Sequence, residues 1–147
     1  LLRAPLSPHE AAEREGLRIE LDDFTLPATN RPLVIEGAGG VLVPLNHRHT
    51  MLDLMTRLGA PVLVAAKSGL GTINHTCLTL QALRARNLPV LGVILSGEPN
   101  ASNREAIERF GNTRVLAEIP RLQPLTRAAL QTIAPRPEAL EWVRWKA

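Results

Sequence analysis

Four short, mostly apolar stretches punctuate the chain: Leu33-Val34-Ile35, Pro61-Val62-Leu63-Val64-Ala65-Ala66, Val90-Leu91-Gly92-Val93-Ile94-Leu95 and Val115 to Ile119, the last interrupted by Glu118. Each lacks polar alternation and ends at Gly, Ser, Pro or a charged residue, the pattern of a strand buried on both faces. Stretches of helical spacing lie between them. Buried strands alternating with helices predict an α/β fold: a parallel sheet covered by helices on both faces.

End signals place the helices. Ser7-Pro8, with Glu10 in the first turn, opens one that runs to Gly16. A short amphipathic stretch follows near 17–25. Thr50 caps and Gly59 stops a helix over 50–58. Residues 73–87 carry Ile73, Cys77, Leu80 and Leu83 at helical spacing, and Ser102 caps a helix over 102–110. Two more are expected near 123–133 and 138–145. With no internal repeat or composition break, residues 1–147 read as one domain. Hydrophobic residues make up 45% of it, enough for a core, and with no Tyr, two Phe and two Trp that core is aliphatic.

Composition also excludes several functions. The net charge is +3, but the 17 basic residues are spread among 14 acidic ones. No basic run and no interleaved aromatics are present to bind nucleic acid. The single cysteine, Cys77, rules out an intrachain disulfide and fits a reducing compartment. No apolar run reaches about 18 residues, so no membrane span is expected. The opening Leu1-Leu2-Arg3-Ala4-Pro5 has neither an initiator Met nor a signal-peptide pattern, as a processed, trimmed or incomplete chain would show.

In open parallel sheets, ligands gather beyond the carboxyl ends of the strands. Glu36-Gly37-Ala38-Gly39-Gly40 follows the first run. A carboxylate there could hold Mg²⁺, and glycines let backbone approach a ligand; a tight turn with a solvated Glu accounts for the same residues equally well. Gly69-Leu70-Gly71-Thr72-Ile73-Asn74-His75 precedes a helix, so its backbone N–H groups could receive an anion, or Thr72 could simply cap a glycine turn. Ser96-Gly97 and Glu118-Ile119-Pro120-Arg121-Leu122 could line a nucleotide-base pocket. No Gly-x-x-x-x-Gly-Lys-Ser/Thr, zinc-type spacing or Gly-x-Ser-x-Gly occurs.

Taken in order, these segments resemble the dethiobiotin synthetase family. Val34-Ile35-Glu36-Gly37-Ala38-Gly39-Gly40-Val41-Leu42-Val43-Pro44-Leu45 is similar to the segment around that family's magnesium-binding glutamate, and Ser68 to Thr76 to its second signature. Leu6-Ser7-Pro8-His9-Glu10-Ala11-Ala12, Gly92 to Leu95 and Glu118 to Leu122 follow the same order. The resemblance implies a P-loop NTPase-like fold whose first strand and P-loop are absent from these residues. It implies ATP and Mg²⁺ as cofactors, and 7,8-diaminopelargonic acid and CO₂ as substrates of a cytoplasmic homodimer. By similarity, Glu36 is a Mg²⁺ ligand and Gly37, Ala38 and Gly39 lie beside the phosphates. Ser96, Gly97, Pro120, Arg121 and Leu122 border the base, and Gly71, Thr72, Ile73 and Asn74 hold the substrate carboxylate across the dimer interface.

The chain departs from the family at two points. Ser96 stands where the family commonly has Asn, and its hydroxyl cannot make the same two-pronged contact with adenine. The family's P-loop, catalytic Lys and Mg²⁺-binding Asp lie upstream of Leu1. Residues 1–147 therefore read as a C-terminal portion with no catalytic residue and no useful turnover alone. A non-catalytic, P-loop-less dimerisation or ligand-binding module is the alternative; a divergent relative of cobyrinate amide synthetases or partition ATPases is a third reading.

Overall fold

A computed structural model describes residues 1–133; the helix expected over 138–145 lies outside the described residues. The described residues divide into two compact units, one of residues 1–60 with 85–88, the other of residues 61–84 with 89–133.

The first unit holds helix α1 (Pro8–Arg14), a 3₁₀ turn at Leu21–Asp23 and helix α2 (Met51–Leu58). Pro8 starts α1 as expected, but the Ser7 side chain makes no capping bond. Past its end, Gly16 takes φ +65°, and Leu17 N–H reaches back to the Ala12 carbonyl at 2.9 Å, a closure that wants a left-handed residue. Thr50 and Gly59 bound α2 as anticipated, Gly59 with φ 64°. The core joins Leu45, Met51 and Leu54 to Leu21, Phe24, Met55 and Leu58.

The first apolar run forms no strand. Leu33, Val34 and Ile35 are 47%, 91% and 46% exposed. Strands exist by pairing their N–H and C=O groups with a neighbour, and among the described residues no strand pairs with this segment.

The second unit contains the sheet. Strands β1 (Val62–Lys67), β2 (Val90–Ser96) and β3 (Val115–Ile119) lie in that order, all parallel. Helices α3 (Thr72–Ala85) and α4 (Ala101–Gly111) make the two crossovers, and α5 (Arg127–Ile133) follows. Leu80, Leu83, Val93, Leu95 and Ile107 are fully buried. The two helices meet closely, since a Cβ on Gly111 would lie 2.9 Å from Leu80 Cδ1. On β1, Val64 is buried while Leu63 and Ala65 are exposed.

Three helix details differ from expectation. The buried stripe of α3 is Thr72, Thr76, Leu80 and Leu83, leaving Ile73 and Cys77 half-buried. Leu80 and Leu83 keep their expected places, and Thr72 and Thr76, at four-residue steps before Leu80, complete the i, i+4 row in place of Ile73 and Cys77. Helix α4 is capped by Asn100, whose Oδ1 accepts from the Asn103 N–H at 3.0 Å, and not by Ser102. An Asn carbonyl three residues before a free N–H outcompetes a Ser already inside the helix. Helix α5 begins at Arg127 rather than near 123, behind Thr126, whose Oγ1 accepts from Ala129 N–H at 3.1 Å. Among the described residues, no helix is long and apolar enough to cross a membrane.

Candidate functional site

The three strands end in step. Lys67 pairs with Ser96, and Ser96 with Ile119. The ladder extends one bond further: Ser68 N–H donates to the Ser96 carbonyl and Gly97 N–H to the Ile119 carbonyl, both at 2.9 Å. The loops carrying Gly71 to Asn74, Ser96-Gly97 and Pro120 to Leu122 therefore leave one edge of one sheet, the outer two starting about 10 Å apart. Ser96 and Arg121 are exposed; Gly97, Pro120 and Leu122 are half-buried.

At the start of α3, Gly71 has φ +87° and a bare α-carbon facing His75. Thr72 N–H is taken by the Gly69 carbonyl at 3.2 Å and His75 N–H by the Gly71 carbonyl at 3.1 Å. Among the described residues, the N–H groups of Ile73 and Asn74 have no acceptor. Two open N–H groups at the positive end of a 14-residue helix suit an anion. Thr72 is placed differently from its loop neighbours. Only 2% of it is exposed, and its Oγ1 sits 3.4 Å from Thr76 Oγ1. Its side chain belongs to the interior.

Leu70, Gly71, Ile73 and Asn74 line an open depression of about 640 Å³ together with Asn100 and Asn103 of the α4 entrance. Those two asparagines escaped the reading of the sequence. The signal was there for Asn100, an Asn standing before a helical run. Behind this edge, Glu118 on β3 pairs with Arg104 Nη1 at 3.2 Å, and its other oxygen is buried without a partner.

Glu36, Gly37, Ala38 and Gly39 belong to the first unit. Glu36 and Ala38 are exposed. The glycines serve a turn packed on α2: a Cβ on Gly37 would meet Met51 Cγ at 3.3 Å, and one on Gly39 (φ +82°) would meet Val43 Cγ2 at 2.9 Å. The turn is pinned by Met51 N–H to the Val43 carbonyl at 2.9 Å and Leu52 N–H to the Val41 carbonyl at 2.7 Å. Among the described residues, no group of three or more His, Cys, Asp or Glu side chains could hold a metal. A single carboxylate suits Mg²⁺ when water and phosphate oxygens complete its shell, the usual arrangement around a nucleotide.

Comparison with known proteins adds a lineage. A family model described as an AAA domain matches residues 1–129. The ATP-dependent dethiobiotin synthetase BioD of Paramagnetospirillum magneticum is 56% identical over 135 residues, 92% of this chain and 66% of that protein. The biotin biosynthesis bifunctional protein BioCD of Bordetella avium is 56% identical over 129 residues, 88% of this chain and 28% of that protein. A BioD of Rhodopseudomonas palustris is 47% identical over 130 residues, 88% of this chain and 61% of that protein. The chain thus spans less than two thirds of the length of the relatives it matches.

Proposed function

The chain belongs to the AAA domain family, with the dethiobiotin synthetases, and from that premise we propose that it is the C-terminal portion of one. The reaction is ATP- and Mg²⁺-dependent ring closure of 7,8-diaminopelargonic acid with CO₂. One amine adds to CO₂ and loses a proton, giving a carbamate. The carbamate oxygen takes the γ-phosphoryl group of ATP and releases ADP. The second amine then attacks the activated carbonyl, expelling phosphate and a proton and closing the ureido ring.

The observation that carries this reading is the pair of N–H groups, on Ile73 and Asn74, without an acceptor among the described residues, on two residues that line the depression beside Gly71. The substrate carboxylate would bind there. Ser96, Gly97, Pro120, Arg121 and Leu122, on the same sheet edge, would border the base. Glu36 would give Mg²⁺ one carboxylate, with Gly37, Ala38 and Gly39 beside the phosphates. The catalytic Lys and the phosphate-gripping loop would come from outside these 147 residues, which contain no P-loop pattern. The enzyme would act in the cytoplasm as a homodimer, each carboxylate loop serving the partner's substrate. A second reading is a module that binds ligand or dimerises without turnover.

The test combines the upstream coding sequence with an assay of the full natural chain. An upstream P-loop and dethiobiotin formed from the diamine, CO₂ and Mg·ATP are expected. An in-frame stop before Leu1, or no dethiobiotin from a folded full chain, sinks the enzyme reading. Calorimetric binding of Mg·ATP or the diamine without turnover would then support the module.

A further inference from the structure

We infer that Ser68 and Asn103 are positioning residues that clamp the loop entering α3, and so set where the Ile73 and Asn74 N–H groups stand. The inference deepens the reading of that loop as the carboxylate site and rests on it for its functional consequence. The loop has little packing of its own. A Cβ at Gly69 would meet nothing, and Leu70 is 99% exposed. With two glycines in four residues, its conformation has to be imposed from its ends.

Ser68 imposes it at one end. It is 4% exposed, and all three of its polar groups are used. Its N–H donates to the Ser96 carbonyl at 2.9 Å, its Oγ donates to the Glu98 carbonyl at 2.5 Å, and its carbonyl accepts from Asn103 Nδ2 at 2.8 Å. Gly97 makes room for that hydroxyl: it has φ +123°, and a Cβ there would lie 2.9 Å from Ser68 Oγ. Asn103 is itself fixed through its N–H to Asn100 Oδ1 at 3.0 Å. One serine thus ties the carboxylate loop to the loop leaving β2 and, through Asn103, to the first turn of α4. Buried polar groups satisfied this fully are costly to break, because each lost bond strands its partner. The geometry of an oriented anion site tolerates little slack.

The test is Asn103→Asp in the full natural chain, with Asn103→Gln beside it. Asp keeps the size and suits a helix N-terminus, so the fold should survive, but its carboxylate cannot donate to the Ser68 carbonyl. Gln keeps the amide donor. For Asn103→Asp the diamine KM should rise about tenfold while the Mg·ATP KM stays within about twofold, and Gln should recover most of the loss. Amide hydrogen exchange at positions 68, 72 and 75, whose N–H groups are bonded at the two ends of the loop, should quicken about tenfold, with the last turns of α3 unchanged. Unchanged exchange at those three amides, or equal rises in both KM values, overturns the clamp. If Asn103→Asp does not fold, Ser68→Ala carries both measurements. If the full chain makes no dethiobiotin, the proposed reaction fails, while the exchange measurement still decides the clamp.

Discussion

Asp53 accepts from the Thr50 N–H at 2.7 Å and the Thr50 hydroxyl at 2.9 Å, and pairs with Arg86 at 2.9 Å. These contacts hold its carboxyl below the ordinary value of 3.8, the Thr50 backbone bond first among them, against the opposing effect of burial. A carboxylate whose folded pKa is depressed contributes stability above its unfolded value and loses it as pH falls through the folded one. Asp53→Asn should therefore cost about 1 kcal/mol near neutrality, where the capping box and a part-exposed ion pair are both weakened. Its acid-unfolding curve should converge with that of the parent below pH 3.8; parallel curves at every pH would exclude this role. Glu36 poses a different residue-scale question, since it is exposed and no strand fixes it. If it supplies the carboxylate for Mg²⁺, Glu36→Gln in the full natural chain should raise the KM for Mg·ATP about tenfold. Unchanged magnesium dependence of turnover would remove Glu36 from the site.

Among the elements, β2 is the most constrained. Gly92 sits at φ +153°, where an added Cβ would lie 2.7 Å from Leu116 Cγ and 2.9 Å from the Arg114 carbonyl oxygen. The register of β2 slips on both sides here, between Val62 and Leu63 and between Val93 and Ile94. Gly92→Ala should destabilise by about 1–3 kcal/mol through strain and overpacking, read from denaturant melts. What could be read in advance follows the same physics. Thr50 and Gly59 mark the ends of α2 in the sequence because caps are made within a few residues. The strands Val62–Lys67, Val90–Ser96 and Val115–Ile119 are legible because parallel strands between helices are mostly apolar, although β1 leaves Leu63 and Ala65 exposed. Leu33 to Ile35 look no different as letters; whether such a run becomes a strand depends on a neighbour that the run does not encode. The candidate site divides in the same way. Gly69 and Gly71 announce themselves as a loop before a helix, whereas Asn103 meets Ser68 across 35 residues and nothing local foretells it.

At the scale of the whole molecule, the sheet has two unpaired edges among the described residues: the outer sides of β1 and of β3 have no strand partner, and Leu63 on β1 is 38% exposed. An unprotected edge invites another chain, and the apolar segment 33–35 adds to the hazard. Residues 1–147 expressed alone should self-associate at micromolar concentration. A monodisperse monomer with a sharp two-state melt would refute that.

The strands that finish in step at Lys67, Ser96 and Ile119 bear on how such a chain can vary in length. A residue gained or lost inside any one strand would slide its loop about 3.3 Å past the other two and turn every later side chain to the opposite face. If the loops after β2 and β3 border one base, as proposed, those two cannot absorb that. Length variation tolerated by natural selection should therefore collect at the opposite edge, in the turns around Gly59, Asn87 and Asn112, where each helix hands over to its strand.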